Sequence, residues 1–367
     1  MAMTTTEPQQ RQFPCKQCGA LLQFAPSQSS LVCPYCKAEN AIAISLQSVE
    51  ELDFYSALSD ASSVDATHEI LTIKCNTCGA EASLAQDTVS GVCAFCGQPI
   101  VATASSKRAI KPKCLLPFHI TEDQAKSAFK TWINSRWFAP SGLARFAERG
   151  GLRGVYIPYW TYDCDTTSDY TGQRGEDYTE TETYTEVENG QTVTKTRTVT
   201  KTRWWSVSGR VFNTFDDILI LASNTLPRNY TESLEPWDLQ NLVPYADEYL
   251  AGFAAESYQT DLRTGFDSAK EKMEPDIHST IRSDIGGDHQ RIDSVHTYYR
   301  DITFKHLLLP IWLSAYIYRN ETYRILINAR TAEVCGQRPY SFWKITALIL
   351  TILTLILLII LLANQRW

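Results

Sequence analysis

The chain has 367 residues and a formal net charge of −7, which excludes a single small module and any general electrostatic attraction to nucleic acid. Its apolar and charged fractions, 44% and 20%, exclude a disordered chain. Residues 1–14 contain no apolar stretch, so we predict a disordered tail without a cleavable signal. The eleven cysteines are then expected to stay reduced, as they do in the cytoplasm.

Eight of the cysteines form two clusters with identical spacing. Each cluster is a pair of CxxC motifs separated by fourteen residues, and the second cluster follows the first after 60 positions. This repetition predicts two duplicated zinc ribbons, residues 15–42 and 71–102. The predicted metal ligands are Cys15, Cys18, Cys33, Cys36, Cys75, Cys78, Cys93 and Cys96.

Four thiolates per cluster favour tetrahedral Zn²⁺, and a closed shell of four protein ligands indicates a structural ion, so we expect two structural zinc ions. Gly19, Gly79 and Gly97 each follow a CxxC motif and are expected to adopt positive φ. Redox dithiols and iron–sulfur ligation are the alternative interpretations of such motifs. The other three cysteines, Cys114, Cys164 and Cys335, lack ligand spacing and are predicted to be buried thiols.

Two connecting segments are predicted to be linkers, residues 43–70 and a basic one, 103–113. The basic segment carries Lys107, Arg108, Lys111 and Lys113, which could contact nucleic acid or act as a solvated hinge. Residues 1–114 contain eight basic and ten acidic side chains. Because phosphate binding needs a basic surface, nucleic acid is disfavoured as a partner, and protein contact is the predicted role of the ribbons.

Residues 114–340 are predicted to form an α+β domain that is mostly antiparallel. A capping box at Thr121–Gln124 begins a helix, and further helices are predicted at 245–258 and 262–283. Strands are predicted at 307–318 and 323–328. The segments 154–163 and 307–318 share an aliphatic-Pro-x-Trp element that suggests a second, fainter duplication.

Residues 176–203 predict a projecting hairpin. Asn189-Gly190 is typical of a type I′ turn, and the resulting register pairs Glu182 with Arg197 on one face and Thr185 with Thr194 on the other. Neither face is apolar, so the hairpin is either an assembly arm or a solvated excursion.

No catalytic motif is present, neither a Walker A loop, nor GxSxG, nor HExxH. The polar residues 286–291 form the best polar cluster, although a turn after a helix explains them equally well. We therefore do not predict an enzyme or a small-molecule substrate, and the activity of 114–340 stays open.

The segment 341–367 is predicted to be a transmembrane anchor. Residues 345–363 contain only Leu, Ile, Thr and Ala, and a helix of that length spans roughly 28 Å, close to the hydrocarbon core of a bilayer. Arg338 and Lys344 precede it, which predicts a single-pass protein of the cytoplasmic membrane with its N-terminal body in the cytoplasm.

Together the CxxCGA ribbons, YIPYWTYD (156–163), EPWDL (235–239), YLAGF (249–253) and DIGGDHQRI (284–292) resemble a family of bacterial tandem zinc-ribbon, tail-anchored membrane proteins. Family members are often labelled primosomal or helicase-like, but this chain has no helicase motif. The resemblance implies a multidomain α+β protein linked to phage-shock-protein-A-like and SPFH-type partners. It further implies a non-enzymatic adaptor that recruits soluble proteins to the membrane in envelope stress. A membrane-tethered nucleic-acid-binding protein and a membrane-bound enzyme are the alternatives.

Overall fold

The computed structural model describes residues 13–26, 28, 30–42, 49–59, 67–83, 90–101, 104–140, 151–188, 191–318 and 321–364. It has the predicted α+β composition with mostly antiparallel sheets. The strands are β1 (Gln23–Ala25), β2 (Ser30–Val32), β3 (Glu39–Ala41), β4 (Leu52–Asp53), β5 (Thr67–Lys74), β6 (Glu81–Ser83), β7 (Ser90–Val92), β8 (Pro99–Val101), β9 (Ala104–Ile110), β10 (Cys114–Leu115), β11 (Arg153–Glu188), β12 (Gln191–Leu221), β13 (Val243–Pro244), β14 (Ala254–Ala255), β15 (His289–Tyr318), β16 (Glu321–Asn328) and β17 (Val334–Gly336). The helices are α1 (Phe54–Ser59), α2 (Glu122–Asn134), α3 (Arg228–Glu232), α4 (Leu262–Ile285) and α5 (Phe342–Asn364), with 3₁₀ turns at Leu239–Asn241 and Asp247–Leu250.

Three very long strands organise the main sheet, whose central order is β12-β11-β15-β10-β13. β11 has 36 residues, so it extends for about 120 Å at the usual rise per residue. β15 pairs antiparallel with β11 from Arg153 to Gly175, and β12 pairs with it on the other side from Tyr159 to Glu188. The body of the protein is built on the first half of β11.

The first half of β11 is buried on both faces. Tyr156 packs into one hydrophobic cluster together with α2 and residues of segment 15–42, for which we keep the label first ribbon. Ile157 packs into a second cluster together with residues of segment 71–102, labelled the second ribbon. β15 alternates in the same way, since Leu308 belongs to the first cluster and Leu309 to the second. Burial on both faces explains why these segments form continuous apolar runs in the sequence.

The two aliphatic-Pro-x-Trp segments are neighbouring strands. Tyr156 of β11 lies opposite Pro310 of β15, and Pro158 lies opposite Leu308. Pro310 lies well inside β15, which begins at His289, so the prediction of a strand starting at 307 was wrong. Polar residues interrupt the apolar ones ahead of 307, and pairing with β11 continues through this mixed segment, in which Ile302 and Phe304 are buried.

The second half of β11 forms the predicted hairpin with β12. The register is confirmed, with Glu182 opposite Arg197 and Thr185 opposite Thr194. The turn residues 189–190 lie outside the described residues. Pairing between β15 and β11 stops at Gly175. Residues 176–188 and 191–203 therefore continue as a two-stranded hairpin, which we call the arm.

Two of the three helices predicted within 114–340 are present. α2 begins with both capping-box bonds: the Thr121 amide donates to Gln124 Oε1 at 2.8 Å, and the Gln124 amide donates to Thr121 Oγ1 at 3.3 Å. α4 begins at Leu262 as expected and packs Phe266 and Met273 against the sheet. The predicted helix at 245–258 was wrong, because this segment contains only a 3₁₀ turn and the short strand β14, which pairs with β11.

Both predicted linkers contain structure in their described parts. Within 43–70, β4 pairs with β15, the Phe54 side chain of α1 is buried in the third core cluster, and β5 starts at Thr67. Within 103–113, β9 pairs with β5 over its whole length. Phe13 and Pro14, expected in the disordered tail, belong to the first ribbon; residues 1–12 lie outside the described part. Backbone pairing with distant strands is the physical reason, and it leaves no local sequence pattern.

Candidate metal centres and membrane helix

Each CxxC motif forms the same tight turn. The residue directly after the second cysteine donates its backbone N–H to the carbonyl of the first cysteine, and these four bonds are 2.8–3.0 Å long. The amide of the first cysteine in turn donates to the carbonyl five residues later. Each turn thereby holds its two thiols on one side of the chain. The four N–H donors are Gly19, Lys37, Gly79 and Gly97, and the four carbonyl acceptors are those of Ala20, Ala38, Ala80 and Gln98.

The eight predicted ligands form two groups of four. In the first group the Sγ atoms of Cys15 and Cys36, and those of Cys18 and Cys33, are 3.5 Å apart. In the second group the corresponding distances are 3.6 and 3.7 Å. Within each group all four sulfur atoms lie within 4.8 Å of one another, which is the arrangement that can hold one metal ion.

Positive φ follows every turn. Gly19, Gly79 and Gly97 have φ of 75°, 76° and 73°, as predicted, and Lys37 occupies the fourth equivalent position with φ of 61°. A side chain in this region costs roughly 1–2 kcal/mol relative to glycine. Lys37 therefore keeps its strained backbone because the cluster fixes the turn around it.

The pKa values of the clustered thiols depend on one another and on the local backbone. Backbone N–H groups, Cys36 foremost, lower the pKa of Cys33 to about 6, and the N–H groups of Gln17 and Cys18 lower the pKa of Cys15. In the second cluster burial raises the pKa of Cys93 to about 11. Four closely spaced sulfurs cannot all ionise without a compensating charge, so a bound cation would have to displace protons.

The two ribbons differ sharply in burial at the same repeat position. Tyr35, between the ligands Cys33 and Cys36, is 81% exposed, whereas its counterpart Phe95, between Cys93 and Cys96, is 1% exposed. Phe95 packs with residues of the second core cluster, which is centred on β11 and β15. The second ribbon is thus part of the core of the body, and the first ribbon presents an aromatic side chain to solvent.

One segment of the body, residues 249–259, holds both ribbons. Its first half contacts the first ribbon: the Phe24 amide donates to the Ala251 carbonyl at 2.9 Å, and the Phe24 ring packs on Tyr249 at 5.3 Å. Its second half contacts the second ribbon, where the Ser257 amide donates to the Glu81 carbonyl. The segment runs beside β11, with which β14 pairs.

Glu256 is a buried carboxyl group within this segment. It is 3% exposed, and the Thr225 hydroxyl donates to its Oε1 atom, whereas Oε2 has no hydrogen-bond partner among the described residues. Burial raises the pKa of Glu256 to about 7. A neutral carboxyl group therefore lies between the body and the second ribbon over much of the acidic range.

A third group of acidic residues, Glu51, Asp163 and Asp216, was not expected from the sequence because its members are far apart along the chain. Two of its members, Glu51 and Asp163, lie beside the buried ammonium of Lys305, whose Nζ atom is 2.9 Å from Glu51 and 3.9 Å from Asp163. Asp217, next to Asp216 in the chain, lies 2.7 Å from the same Nζ atom. Burial and a hydrogen bond with Glu51 raise the pKa of Asp163 to about 7. The lysine already supplies the cation, so we interpret this group as a buried ion-pair cluster that fixes the segment before α1.

The three remaining cysteines are two buried thiols and one half-buried thiol. Burial raises the pKa of Cys114, Cys164 and Cys335 to about 12, so they are weak nucleophiles. No metal-ligating group includes any of them within the described residues.

The polar residues 286–291 form the predicted turn after a helix. Gly286 and Gly287 have φ of 65° and 75°, which ends α4 and turns the chain into β15. The His289 Nε2 atom lies 3.1 Å from Asp177 Oδ2, which joins the start of β15 to the base of the arm. This cluster therefore connects the start of β15 to the base of the arm.

Two cavities open at the surface of the described residues. One, of about 630 Å³, lies beside the start of α5 and is lined by Trp132, Tyr323 and Tyr340 among others. The second, of about 520 Å³, is lined by Arg210, Arg300 and several tyrosines among others. No cysteine or histidine lines either cavity, so neither combines with the cysteine clusters into one site.

The C-terminal helix α5 is long and apolar enough to cross a membrane. Residues 342–362 contain no position buried by the rest of the described chain. Thr351 and Thr354 donate their hydroxyls to the carbonyls of Ala347 and Thr351, which is typical of hydroxyl side chains inside an apolar helix. A helix of 23 residues spans about 34 Å, enough for a bilayer core.

The body touches the start of this helix. Lys344 Nζ donates to the carbonyls of Trp137 and Ala139, and the Ser341 amide donates to the Phe138 carbonyl. Trp137 and Trp343 are 69% and 79% exposed there, as expected of an aromatic belt at a membrane surface. The sequence pattern does not predict a place for Trp137 beside the anchor, because this residue lies far ahead of the anchor in the chain.

The chain is similar to one known protein of low sequence identity. No protein-family model matches the chain, and no solved structure matches it. It is similar to a protein of Bacillus subtilis (strain 168) named uncharacterized protein YdjG, with 26% identity over 254 residues that cover 65% of this chain and 67% of that protein.

We expect the exchange Phe95→Ala to destabilise the body by about 3 kcal/mol or more, because it removes a fully buried ring from the core. Tyr35→Ala is the matched control: it changes the same position of the other ribbon, and its effect should stay below about 0.5 kcal/mol. Urea unfolding of the metal-loaded full chain in detergent, followed by tryptophan fluorescence, measures both. Equal losses would contradict the different roles of the two ribbons.

The exchange Glu256→Gln should remove a pH dependence of stability. Since the folded protein holds the Glu256 proton up to about pH 7 and the unfolded chain only to about 4.5, the free energy of unfolding should fall as pH rises between these values. The full effect is about 3 kcal/mol. In the variant this decline should be absent, so at pH 8 the variant should be more stable than the unaltered protein. If the free energies of unfolding of the variant and of the unaltered protein, measured in urea, depend on pH in the same way, the pKa of Glu256 is not raised.

Proposed function

We propose that this protein is a membrane-anchored adaptor that carries two structural zinc ions and recruits a soluble protein through its first ribbon. The observation that carries the proposal is the contrast between Tyr35, which is exposed, and Phe95, which is buried. A duplicated module that keeps an exposed aromatic side chain in one copy only, on a chain that ends in an apolar helix, is suited to protein docking.

Zinc is the metal that the two clusters suit best. Four sulfurs at about 2.3 Å from a tetrahedral ion lie about 3.8 Å from one another. The Sγ distances of 3.5 to 3.7 Å are close to that value and far from the length of a disulfide bond. With four protein ligands each, the ions would stabilise the ribbons rather than bind substrate. Cys15, Cys18, Cys33 and Cys36 would hold one ion, and Cys75, Cys78, Cys93 and Cys96 the other.

Docking is expected at the tip of the first ribbon. Leu21 is 53% exposed in the same ribbon as Tyr35, so this ribbon presents two large apolar side chains to solvent. The base of this ribbon is fixed to the body through Phe24, so the docking surface would stand on a rigid support. The SPFH-type and phage-shock-protein-A-like proteins implied by the family resemblance are the proposed partners.

The membrane side of the proposal rests on α5 and the aromatic side chains at its start. Trp137, Tyr340 and Trp343 would lie in the headgroup region, with the ribbons on the cytoplasmic side. Because Lys344 bonds to the loop of Trp137, the body would be held close to the membrane surface and not on a free tether.

Elemental analysis of the purified full chain should give two zinc ions per chain, and a chelator should remove them in two phases. The ion of the first cluster should leave faster, since Cys18 and Cys36 are exposed whereas Cys93 and Cys96 are buried. Cys18→Ser combined with Cys36→Ser should abolish the fast phase and leave one ion. Iron in place of zinc, or one ion in the unaltered chain, would refute the assignment.

The adaptor function is tested by imaging a tagged SPFH-type partner in cells. Leu21→Ser combined with Tyr35→Ala should leave this protein in the membrane and release the partner into the cytoplasm, because only the docking surface changes. Cutting the chain after Tyr340 should release both proteins. Tyr298→Ala, which removes another half-exposed aromatic side chain outside the ribbon, is the control and should release neither. If the partner stays at the membrane in the ribbon variant, the first ribbon is not the docking site.

A further inference from the structure

The two strands of the arm carry opposite charges. Residues 176–188 of β11 contain six acidic side chains and no basic one, and residues 191–203 of β12 contain four basic side chains and no acidic one. Within the arm these charges pair across the strands, for example Arg197 with Glu182 at 3.1 Å and Lys195 with Glu186 at 3.0 Å. The arm therefore has one acidic edge and one basic edge.

Both edges of the arm lack a further strand neighbour in the described structure. β12 pairs with β11 alone along its whole length, and β11 has no second neighbour beyond Gly175. Each edge of the arm is thus open over thirteen residues, about 43 Å. The outward N–H and C=O groups of such an edge can pair with a further strand.

We propose that the arms of neighbouring copies pair edge to edge, the basic β12 edge of one copy with the acidic β11 edge of the next. This contact differs from the docking of a soluble partner. It rests on the proposed function in one respect: chains anchored in one membrane point their arms in the same direction. β12 of one copy then runs antiparallel to β11 of the next. Because the two edges differ, the contact is heterologous and leaves one free edge at each end of a pair, so further copies can add in the same way and extend a row of chains.

The charges select this pairing over the others. Two β11 edges would bring six acidic side chains against six, and two β12 edges would bring four basic side chains against four, both of which are repulsive. The unlike edges attract. With neighbouring arms at the same height, Arg197 of one copy faces Glu182 of the next, so the pairs inside the arm recur between copies.

The opposite face of the arm supports the same register. Apart from Asp177 and Val187 it consists of threonines, with Thr181 opposite Thr198 and Thr183 opposite Thr196. At the same height these threonines form continuous rows across the copies, and Thr–Thr pairs are favourable cross-strand neighbours. If the edge charges served only to prevent aggregation, both edges would be expected to carry the same sign, because every copy would then repel every other. Opposite signs leave one pairing attractive, which is why we assign the edges to a second copy of this chain.

A charge-swapped arm gives a test that leaves the pairs inside the arm intact. Its own arms can pair with one another, since both edges have changed sign together. Next to an unaltered chain, however, like charges meet at the exchanged positions. The swapped chain combines Glu180→Lys, Glu182→Lys, Glu186→Lys and Glu188→Lys with Lys195→Glu, Arg197→Glu and Lys201→Glu, which reverses the sign of the net charge on both edges.

Full-length chains with donor or acceptor fluorophores are reconstituted in vesicles, and energy transfer is measured between them. Transfer should be high within the unaltered and within the swapped population, and about tenfold weaker association is expected between the two. A chain whose residues 178–201 are replaced by Asn-Gly gives the background of chance proximity. High salt should weaken the association, because the edge charges are exposed.

Transfer at the background level in the unaltered chain, or equal transfer in like and mixed populations, overturns the proposal. Flotation of the vesicles shows separately whether the chains are anchored. If they do not float, the membrane part of the proposed function fails, and sedimentation of the same two chains and their mixture in detergent then decides the edge pairing.

Discussion

The structure depends on the antiparallel ladder between β11 and β15. Over Val155–Tyr162 of β11, side chains on one face pack against α2, α4 and the first ribbon, and side chains on the other face pack against the second ribbon. Burial of large side chains such as Trp160 and Tyr156 on this ladder gives the core on which the other elements of the body rest. The same strand then leaves the core and becomes one half of the arm, so a contact at the arm is connected to the ribbons through one continuous strand.

The duplicated ribbons show how one motif can serve two purposes. Both copies have the same four-cysteine geometry and the same backbone bonds around it. They differ in what covers them, since Phe95 lies in the core and Tyr35 in solvent. The segment 249–259 contributes to this difference, because its backbone joins the second ribbon as a strand neighbour at Ala82–Glu256 and touches the first mainly through Phe24. Both ribbons contribute buried residues to the core of the body, so the difference between them concerns the aromatic position between the third and fourth ligands.

Several charged side chains of the body form ion pairs with one another. Lys305 is surrounded by Glu51, Asp163 and Asp217, and Arg330 bonds to Asp238. Such buried sets fix the positions of the segments that they join, here the segment before α1 and the loop after β16. On the arm, by contrast, the charges are exposed and separated by sign along two edges. The ion pairs of the body join segments of one chain, whereas the charges of the arm lie on its exposed surface.

The sequence by itself determined the local features whose cause is local. The cysteine spacing, the glycines after the CxxC turns, the capping box at Thr121, the hairpin register and the apolar helix at the C-terminus all follow from neighbouring residues, and the structure has each of them. Only the tertiary structure decided the rest. Nothing near residues 104–110 reveals that they pair with 67–74, and nothing in 245–258 shows that apolar spacing there serves strand pairing and ribbon contacts rather than a helix. Likewise Tyr35 and Phe95 are similar aromatic residues in the same motif, and their opposite burial depends on which surface of the body each ribbon meets. Burial and long-range pairing are properties of the assembled core, and so a single sequence pattern does not contain them.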